Sequence, residues 1–222
     1  MIAAAWYAVA MPTISSNKRR FVSAKGWLIA PIVLLFIAAA FAQEAERPTL
    51  KVGDSWHFVM YYTVPSTTPN RAWVITSVTL DGIEGTENGE LLKLTPELNV
   101  LDSPRTRESN PQTLKFPLEV GKRWRYSTEW LFKAKGSKGS SNYDVAVTGY
   151  EKIKVPAGEF DAFKLGFTAS LHGTSPIGSH YGGDVTSTYW YAPKARAIVK
   201  SVTHNPYIGT STVELVRYEL EP

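Results

Sequence analysis

Two histidines and one aspartate are the residues whose types could bind a metal ion. His172 precedes a glycine-rich segment, residues 173–183, while His180 lies within it and Asp184 follows it. Two imidazoles and one carboxylate could hold zinc with an open coordination position, and loops carried by rigid strands often hold sites. However, the spacing matches no tight ligand motif, and glycine-rich segments also serve as plain hairpin connections. We therefore predict no metal site.

Other groups that could act as acids, bases or nucleophiles do not converge in the sequence. The chain has no cysteine, no G-x-S-x-G motif and no phosphate-binding glycine loop. His57 and His204 fit surface positions, on the outer face of a strand and at the start of a loop. Glu159 and Asp161 lie near a predicted hairpin tip, where water keeps both carboxylates ionised. We predict no catalytic residues, no enzyme and no cofactor, and a hydrolase is the weaker alternative.

Aromatic side chains are the more informative set, because they recur on the faces that should point inward. A barrel of about eight strands can either fill its interior with side chains or hold one small ligand. Small-molecule pockets are concave and mostly apolar, with few polar groups. The alternative is that the rings form an ordinary core. The candidate ligand-lining residues are Trp56, Tyr62, Trp124, Trp130, Tyr189 and Trp190.

A hairpin in the second half of the chain must position several of these rings. Pro156 fits the first corner of a type I turn, since its ring fixes φ near the value required there. Gly158 suits a left-handed residue directly after that turn. Ile153 and Val155 alternate into the turn and Phe160 leads out of it, so residues 150–165 predict a β-hairpin.

This hairpin also carries a resemblance to a known group of proteins. The sequence Val-Pro-Ala-Gly-Glu-Phe-Asp-Ala-Phe-Lys at 155–164 resembles the VPAGxFxAxK hairpin of exported bacterial β-proteins, the DUF3108-like group. Tyr-Trp-Tyr-Ala-Pro at 189–193, followed by Ile-Val-Lys at 198–200, is similar to a later segment of that group. The resemblance covers about residues 118–201. It implies a β-rich fold and a bacterial envelope location, and it transfers no activity and no site residue.

A seven-residue pattern occurs twice and predicts two related halves. Both Leu50–Trp56 and Leu118–Trp124 match L-x-V-G-x-x-W, and each opens a segment of alternating apolar residues. A period of two with one apolar face is typical of an amphipathic strand. We therefore predict two related meander halves in a single β domain, residues 50–222, preceded by a short polar linker at 43–49.

The remaining segments predict more strands and no helix outside the N-terminal leader. Residues 72–87 alternate up to Asn88-Gly89, which is a strong hairpin signal, and residues 90–94 return. Residues 97–112 predict a long loop, with room for one short strand, that bridges the halves, and residues 136–141 predict a turn or flexible loop. About nine short strands with regular turns favour an all-β fold: an antiparallel meander whose strongly curved sheet forms a barrel or half-barrel.

The first 42 residues have the parts of a secretory signal peptide. They contain four basic residues and no acidic residue, then an apolar run, 27–42, that ends Ala-Phe-Ala. We predict cleavage after Ala42 and a periplasmic or secreted bacterial protein. The alternative is an uncleaved anchor, but 16 apolar residues fall short of the roughly 20 that span a bilayer.

Charge and cysteine content narrow the partners of the exported part. Four of the 24 basic residues lie in the leader and all 20 acidic residues follow it, so residues 43–222 have no net charge. This predicts no nucleic-acid partner, and without a cysteine no lipid can be attached through that residue. We also expect no stable membrane insertion after cleavage. A transmembrane barrel is a weaker alternative, because most strands lack long connecting loops.

Two functions from different classes follow from these observations. The first is a non-catalytic envelope binding module for an apolar or amphipathic ligand, such as a lipid or small hydrophobic molecule. The second is a structural or protein-interaction component of the envelope, which docks through an outer face or an exposed edge strand.

Overall fold

A computed structural model describes residues 43–63, 70–206 and 209–222 of the chain. The predicted leader, residues 1–42, lies outside the described residues. No helix in the described ranges is long and apolar enough to cross a bilayer. Two single 3₁₀ turns occur there, Lys133–Lys135 and Pro193–Ala195. The strands are β1 Glu44–Ala45, β2 Ser55–Tyr62, β3 Asn70–Val78, β4 Ile83–Glu87, β5 Glu90–Leu94, β6 Val100–Asp102, β7 Thr106–Glu108, β8 Leu118–Glu119, β9 Arg123–Phe132, β10 Ser137–Val155, β11 Gly158–Thr174, β12 His180–Ala192, β13 Ala197–Asn205 and β14 Gly209–Glu219.

Twelve of the described strands form one closed antiparallel barrel. Strands β2 to β7 and β9 to β14 pair with their neighbours in chain order, and the pairs β7–β9 and β14–β2 complete the circle. The prediction of an all-β antiparallel meander is therefore confirmed, and the curved sheet closes fully rather than stopping at a half-barrel. Strands β1 and β8 pair separately, so residues 44 and 45 of the predicted linker form a short strand.

The repeated sequence pattern marks the start of each half of the barrel. Gly53 and Gly121 both lie in turns and have φ of 102° and 97°, a region that residues with a Cβ rarely adopt. Six barrel strands follow each turn, β2 to β7 after the first and β9 to β14 after the second.

The two tryptophans of the repeat are buried in separate apolar cores, and the core around Trp56 combines residues of both halves. Trp56 is 2% exposed and packs with residues such as Leu92 and Leu215. Its indole N–H donates to the carbonyl oxygen of Ala195 at 2.7 Å. Trp124 is 7% exposed and lies in a second core, and its N–H donates to the carbonyl oxygen of Gln112 at 2.8 Å. Satisfying the N–H lets a large apolar ring be fully desolvated.

Two segments in the first half differ from the predictions. Residues 72–87 are not one strand, because the chain turns between β3 and β4, where Thr79 N–H donates to the carbonyl oxygen of Gly82 at 2.9 Å. Residues 97–112 are not only a loop, since β6 and β7 lie within them and complete the barrel.

Two glycine-rich segments in the second half also differ from the predictions. Residues 137–141 and 173–174 are strand rather than loop, and the connection between β11 and β12 is only residues 175–179. The predicted hairpin at Pro156 is present, and Gly158 has a positive φ of 130°. Its connection is shorter than predicted, because Val155 already pairs with Gly158.

Candidate functional site

The register of the strands determines which side chains point into the barrel. Residues directly opposite each other on paired antiparallel strands share a face of the sheet. One such row runs across β9 to β12 through Trp130, Gly139, Gly173 and Tyr181. Its two middle positions have no side chain, so the aromatic rings at its ends have room to lie across the wall.

The two rings of this row cover the two glycines. A Cβ on Gly139 would come within 2.5 Å of the Trp130 ring, and a Cβ on Gly173 within 2.4 Å of the Tyr181 ring. The ring centroids are 6.5 Å apart, and the indole N–H of Trp130 donates to Ser141 Oγ at 3.0 Å. Aromatic side chains that cover strand glycines replace the missing side-chain packing.

An open cleft of about 1020 Å³ adjoins this aromatic row. It lies at the end of the barrel that carries the connections 133–136 and 175–179. Trp130, Tyr181 and Glu108 contribute to its wall. Its other lining residues include Arg107, Lys138, Ser140, His172, Thr174 and His180, which lie on the outward face of the same strands. The cleft is large enough for a small ligand.

Three tyrosines continue the site further into the barrel. The rings of Tyr126 and Tyr143 stack with centroids 4.6 Å apart and planes 7° from parallel. Tyr189 packs at 4.6 Å against Phe167. Burial is the main cause that raises the pKa of all three tyrosines. Their hydroxyls therefore stay neutral and can both donate and accept hydrogen bonds.

A glutamate on β7 faces these tyrosines. Burial raises the pKa of Glu108 to about 7, against the opposing effect of a hydrogen bond from Thr128. Glu108 makes no ion pair with any described residue. Its carboxyl group can therefore change protonation state near neutral pH.

An arginine pair on a neighbouring part of the wall shares one carboxylate. Glu87 is 3% exposed, and its Oε1 lies 3.3 Å from Arg105 Nε and 3.7 Å from Arg71 Nε. Its other oxygen accepts a hydrogen bond from the indole N–H of Trp73 at 3.1 Å. Burial, followed by the nearby charge of Arg105, lowers the pKa of Arg71.

Side chains from distant strands converge in the interior. Tyr189 on β12 interacts electrostatically with Arg71 on β3 and with Glu108 on β7, although three strands separate β12 from each of them. Such interactions must therefore cross the barrel rather than run along one wall. We call the five residues that these electrostatic interactions connect the inner cluster: Arg71, Glu108, Tyr126, Tyr143 and Tyr189.

Five of the six sequence-predicted aromatic residues lie on the inward face of the sheet, because Trp56 and Trp124 share that face with Tyr62 and Trp130, and three of the five are only partly buried. Tyr62, Trp130 and Tyr189 point inward and are half-buried. Trp56 and Trp124 lie in the two packed cores described above. A ligand-lining role for Tyr62, Trp130 and Tyr189 remains a prediction.

Trp190 lies on the opposite face of the sheet from Tyr189, because adjacent strand residues alternate. It is 9% exposed, and its indole N–H donates to Glu151 Oε1 at 2.8 Å. The Lys164 ammonium lies 5.6 Å from the centroid of its ring. Trp190 therefore does not line the interior beside Tyr189, and its ring belongs to the same packed core as Trp56.

Sequence reasoning missed the charged members of the site. Arg71 and Glu87 lie at the ends of strands, and Arg105 and Glu108 lie in the segment predicted to be a loop. The alternation that identified Trp124 and Trp130 also contains Tyr126, so this signal was sufficient to find one member of the inner cluster.

The three residues considered for zinc lie on strands instead of bracketing a loop. His180 Nδ1 is 3.1 Å from Thr174 Oγ1, and Ser170 Oγ donates to Asp184 Oδ1 at 3.0 Å. Within the described ranges, no three histidine, aspartate or glutamate side chains are close enough to hold a metal ion together. His172 lines the cleft instead.

The fold resembles solved structures of bacterial proteins. An inferred exported protein with a YmcC-like fold from Bacteroides fragilis aligns with a TM-score of 0.51 and 14% identity over 79% of this chain and 99% of that one. An inferred lipoprotein from Parabacteroides distasonis gives the same values. The hypothetical lipoprotein YmcC of Escherichia coli aligns with a TM-score of 0.40 and 10% identity, over 76% of this chain and 85% of that one.

These similarities concern the fold alone. At 14% identity the first two structures show that this chain has a YmcC-like fold. No protein-family model matches the chain, and no curated protein matches it.

Proposed function

We propose that this chain is an exported bacterial envelope protein that binds an amphipathic ligand inside its barrel, without catalysis. The observation that carries the proposal is the half-buried state of the inward-facing residues around the inner cluster. Tyr62, Arg71, Trp130 and Tyr189 all point into the barrel and yet keep partial solvent exposure. The core that buries Trp124 also contains Tyr126, and Tyr189 packs against its edge but is only partly buried, so packing is incomplete on this side of the interior.

The chemistry of the wall favours a ligand with both apolar and polar parts. Trp130, Tyr181 and Phe167 supply aromatic surface, while Glu108 and Arg71 supply hydrogen bonds and charge. Ligand pockets combine a mostly apolar lining with a few polar groups that set orientation.

The predicted leader and the resemblance to exported β-proteins support an envelope location. The structural neighbours described as an exported protein and a lipoprotein agree with it. The 222 residues of this sequence contain no cysteine to which a lipid could be attached.

Titration with N-phenyl-1-naphthylamine, an uncharged apolar fluorophore, tests the proposed function. We expect saturable binding at one site per chain. Ser187 points inward and Thr186 points outward on the same strand, so Ser187→Trp should abolish binding while the matched control Thr186→Trp retains it. If neither substitution alters binding, the fluorophore does not occupy the interior and the proposal is wrong.

A structural or interaction role is the second candidate, and exposed apolar residues on the outer wall favour it. Val74 on β3 and Leu91 on β5 are 37% and 53% exposed, and both pair with Thr86 on the strand between them. A stoichiometric envelope protein that co-purifies with the wild type, but not with Leu91→Glu, would support this role.

A further inference from the structure

We propose that the polar part of the ligand is an anionic group, a phosphate or carboxylate, which binds at Arg71 and Arg105 on the barrel wall. This inference rests on the proposed function and names the ligand chemistry that its site would accept.

The positive charges of Arg71 and Arg105 exceed the negative charge of the carboxylate that they share. Arg71 and Arg105 both approach the same oxygen of Glu87, so two cations share one carboxylate. The carboxylate is already engaged on its other oxygen by Trp73. One positive charge is therefore left without a partner carboxylate in this group, and a buried charge is costly unless it is paired.

The Arg71 side chain has a hydrogen-bond donor that no described residue uses. Its Nε is buried and has no hydrogen-bond partner among the described residues, and its contact with Glu87, at 3.7 Å, is too long for a hydrogen bond. A guanidinium presents five donors in a planar fork that suits the two oxygens of a carboxylate or phosphate. An anionic group at this position would satisfy donors that the protein leaves unused.

Both arginine side chains are partly exposed to solvent. Arg71 and Arg105 have side chains that are 25% and 29% exposed, so part of each side chain keeps contact with solvent although Arg71 Nε is buried. Arg71 also interacts electrostatically with Tyr62 and Tyr189. Both tyrosines carry apolar rings, so an alkyl chain attached to the anionic group would contact aromatic surface.

Displacement of N-phenyl-1-naphthylamine from the full-length protein provides the test. The probes are decyl phosphate, decanoate, 1-decanol and inorganic phosphate. We expect the two alkyl anions to displace the fluorophore at concentrations at least tenfold below that of 1-decanol. Arg71→Gln should remove this preference, so that the two alkyl anions and 1-decanol displace the fluorophore at similar concentrations. Arg125→Gln, which alters an exposed arginine that pairs with Asp144, is the matched control and should behave as the wild type.

The wild-type comparison needs no variant and therefore does not depend on whether Arg71→Gln folds. Equal affinities for decyl phosphate and 1-decanol would overturn the anionic-group inference and leave the proposed function intact. Inorganic phosphate could also bind in an Arg71-dependent manner with the same affinity as decyl phosphate. That result would support the anion site and show that its ligand is a free anion without an alkyl chain. Failure of the fluorophore and of all four probes to bind would overturn both proposals.

Discussion

Gly53 and Gly121 make the same hydrogen bond at the start of the two halves of the barrel. Gly53 N–H donates to the carbonyl oxygen of Ile75, and Gly121 N–H donates to that of Val147, both at 2.9 Å. In each half the acceptor residue returns a second bond of 2.9 Å to the residue that follows the glycine. The repeated sequence pattern therefore encodes one local structure used twice, and it anchors each half to its second strand.

Gly121→Ala should destabilise the protein by about 1–3 kcal/mol, because alanine is strained at its φ of 97°. An added Cβ would meet no atom within 4 Å, so the substitution isolates the backbone strain. The measurement is urea unfolding. Gly149→Ala is the control, since that glycine has an ordinary φ and open space around it. A loss no larger than that of the control would contradict the proposed role of the turn.

Gly139→Ala should destabilise the barrel more strongly, by about 3 kcal/mol. Its Cβ would lie 2.0 Å from the carbonyl oxygen of His172 and 2.5 Å from the Trp130 ring. Both the strand pair and the ring would have to move, so we expect a lower unfolding temperature and a shifted tryptophan emission. Gly166→Ala on β11 is the matched control, because its Cβ would make an ordinary contact of 3.5 Å with Thr148. Similar unfolding temperatures for the two variants would show that Trp130 does not rest on Gly139.

Asp54→Ala should be among the most destabilising carboxylate substitutions, costing about 3–5 kcal/mol. Asp54 is 0% exposed and accepts hydrogen bonds from Lys51 N–H, Glu221 N–H and Arg196 Nη1 at 2.9, 2.8 and 3.1 Å. Calorimetry of Asp144→Ala, which breaks an exposed ion pair with Arg125, provides the comparison. That surface pair should be worth at most about 1 kcal/mol, and an equal effect of the two substitutions would be inconsistent with the buried network.

Glu108 should make the stability of the protein depend on pH in a specific direction. Its pKa in the folded protein is about 7, above the value of about 4.3 expected in the unfolded chain. The folded state therefore binds the extra proton between these pH values, and its stability falls as pH rises through 7. The facing residues Tyr126, Tyr143 and Tyr189 stay neutral over this range, because burial raises their pKa values.

Glu108→Gln removes the titrating group and keeps the shape of the side chain. It should stabilise the protein by about 1–3 kcal/mol at pH 8 and have little effect at pH 4. Urea unfolding at both pH values measures this, with Glu119→Gln, on an exposed residue, as the control. A variant whose stability varies with pH as the wild type does would show that Glu108 is not the buried acid.

The alternating segments predicted much of the fold, and the exceptions have identifiable physical causes. Trp56 and Trp124 lie where their repeats predicted, at the start of a strand with one buried face. The sequence left room for only one short strand where β6 and β7 lie, because strands of three residues that include charged side chains are too short to show an apolar alternation. The glycines of segment 173–183 predicted a loop, because they have no side chains of their own to alternate. In the structure the ring of Tyr181 on the neighbouring strand packs over Gly173. A single strand's sequence does not contain that information.

The candidate site was only partly predictable for the same reason. Tyr189 and Trp190 are adjacent and chemically similar, yet only one of them can face the interior, and the strand register decides which. Arg105 reaches the carboxylate of Glu87 only because the barrel closes through β6 and β7. Long-range pairing of this kind leaves no local pattern.

Native mass spectrometry of the protein, expressed with its predicted leader and purified gently, tests the central claim most directly. The barrel interior is expected to retain an amphipathic molecule, so the spectrum should show a reproducible extra mass that is released on denaturation. Ser187→Trp should lose this mass and Thr186→Trp should keep it. A bare mass for the wild type under every gentle preparation would contradict the claim that the barrel is a binding module.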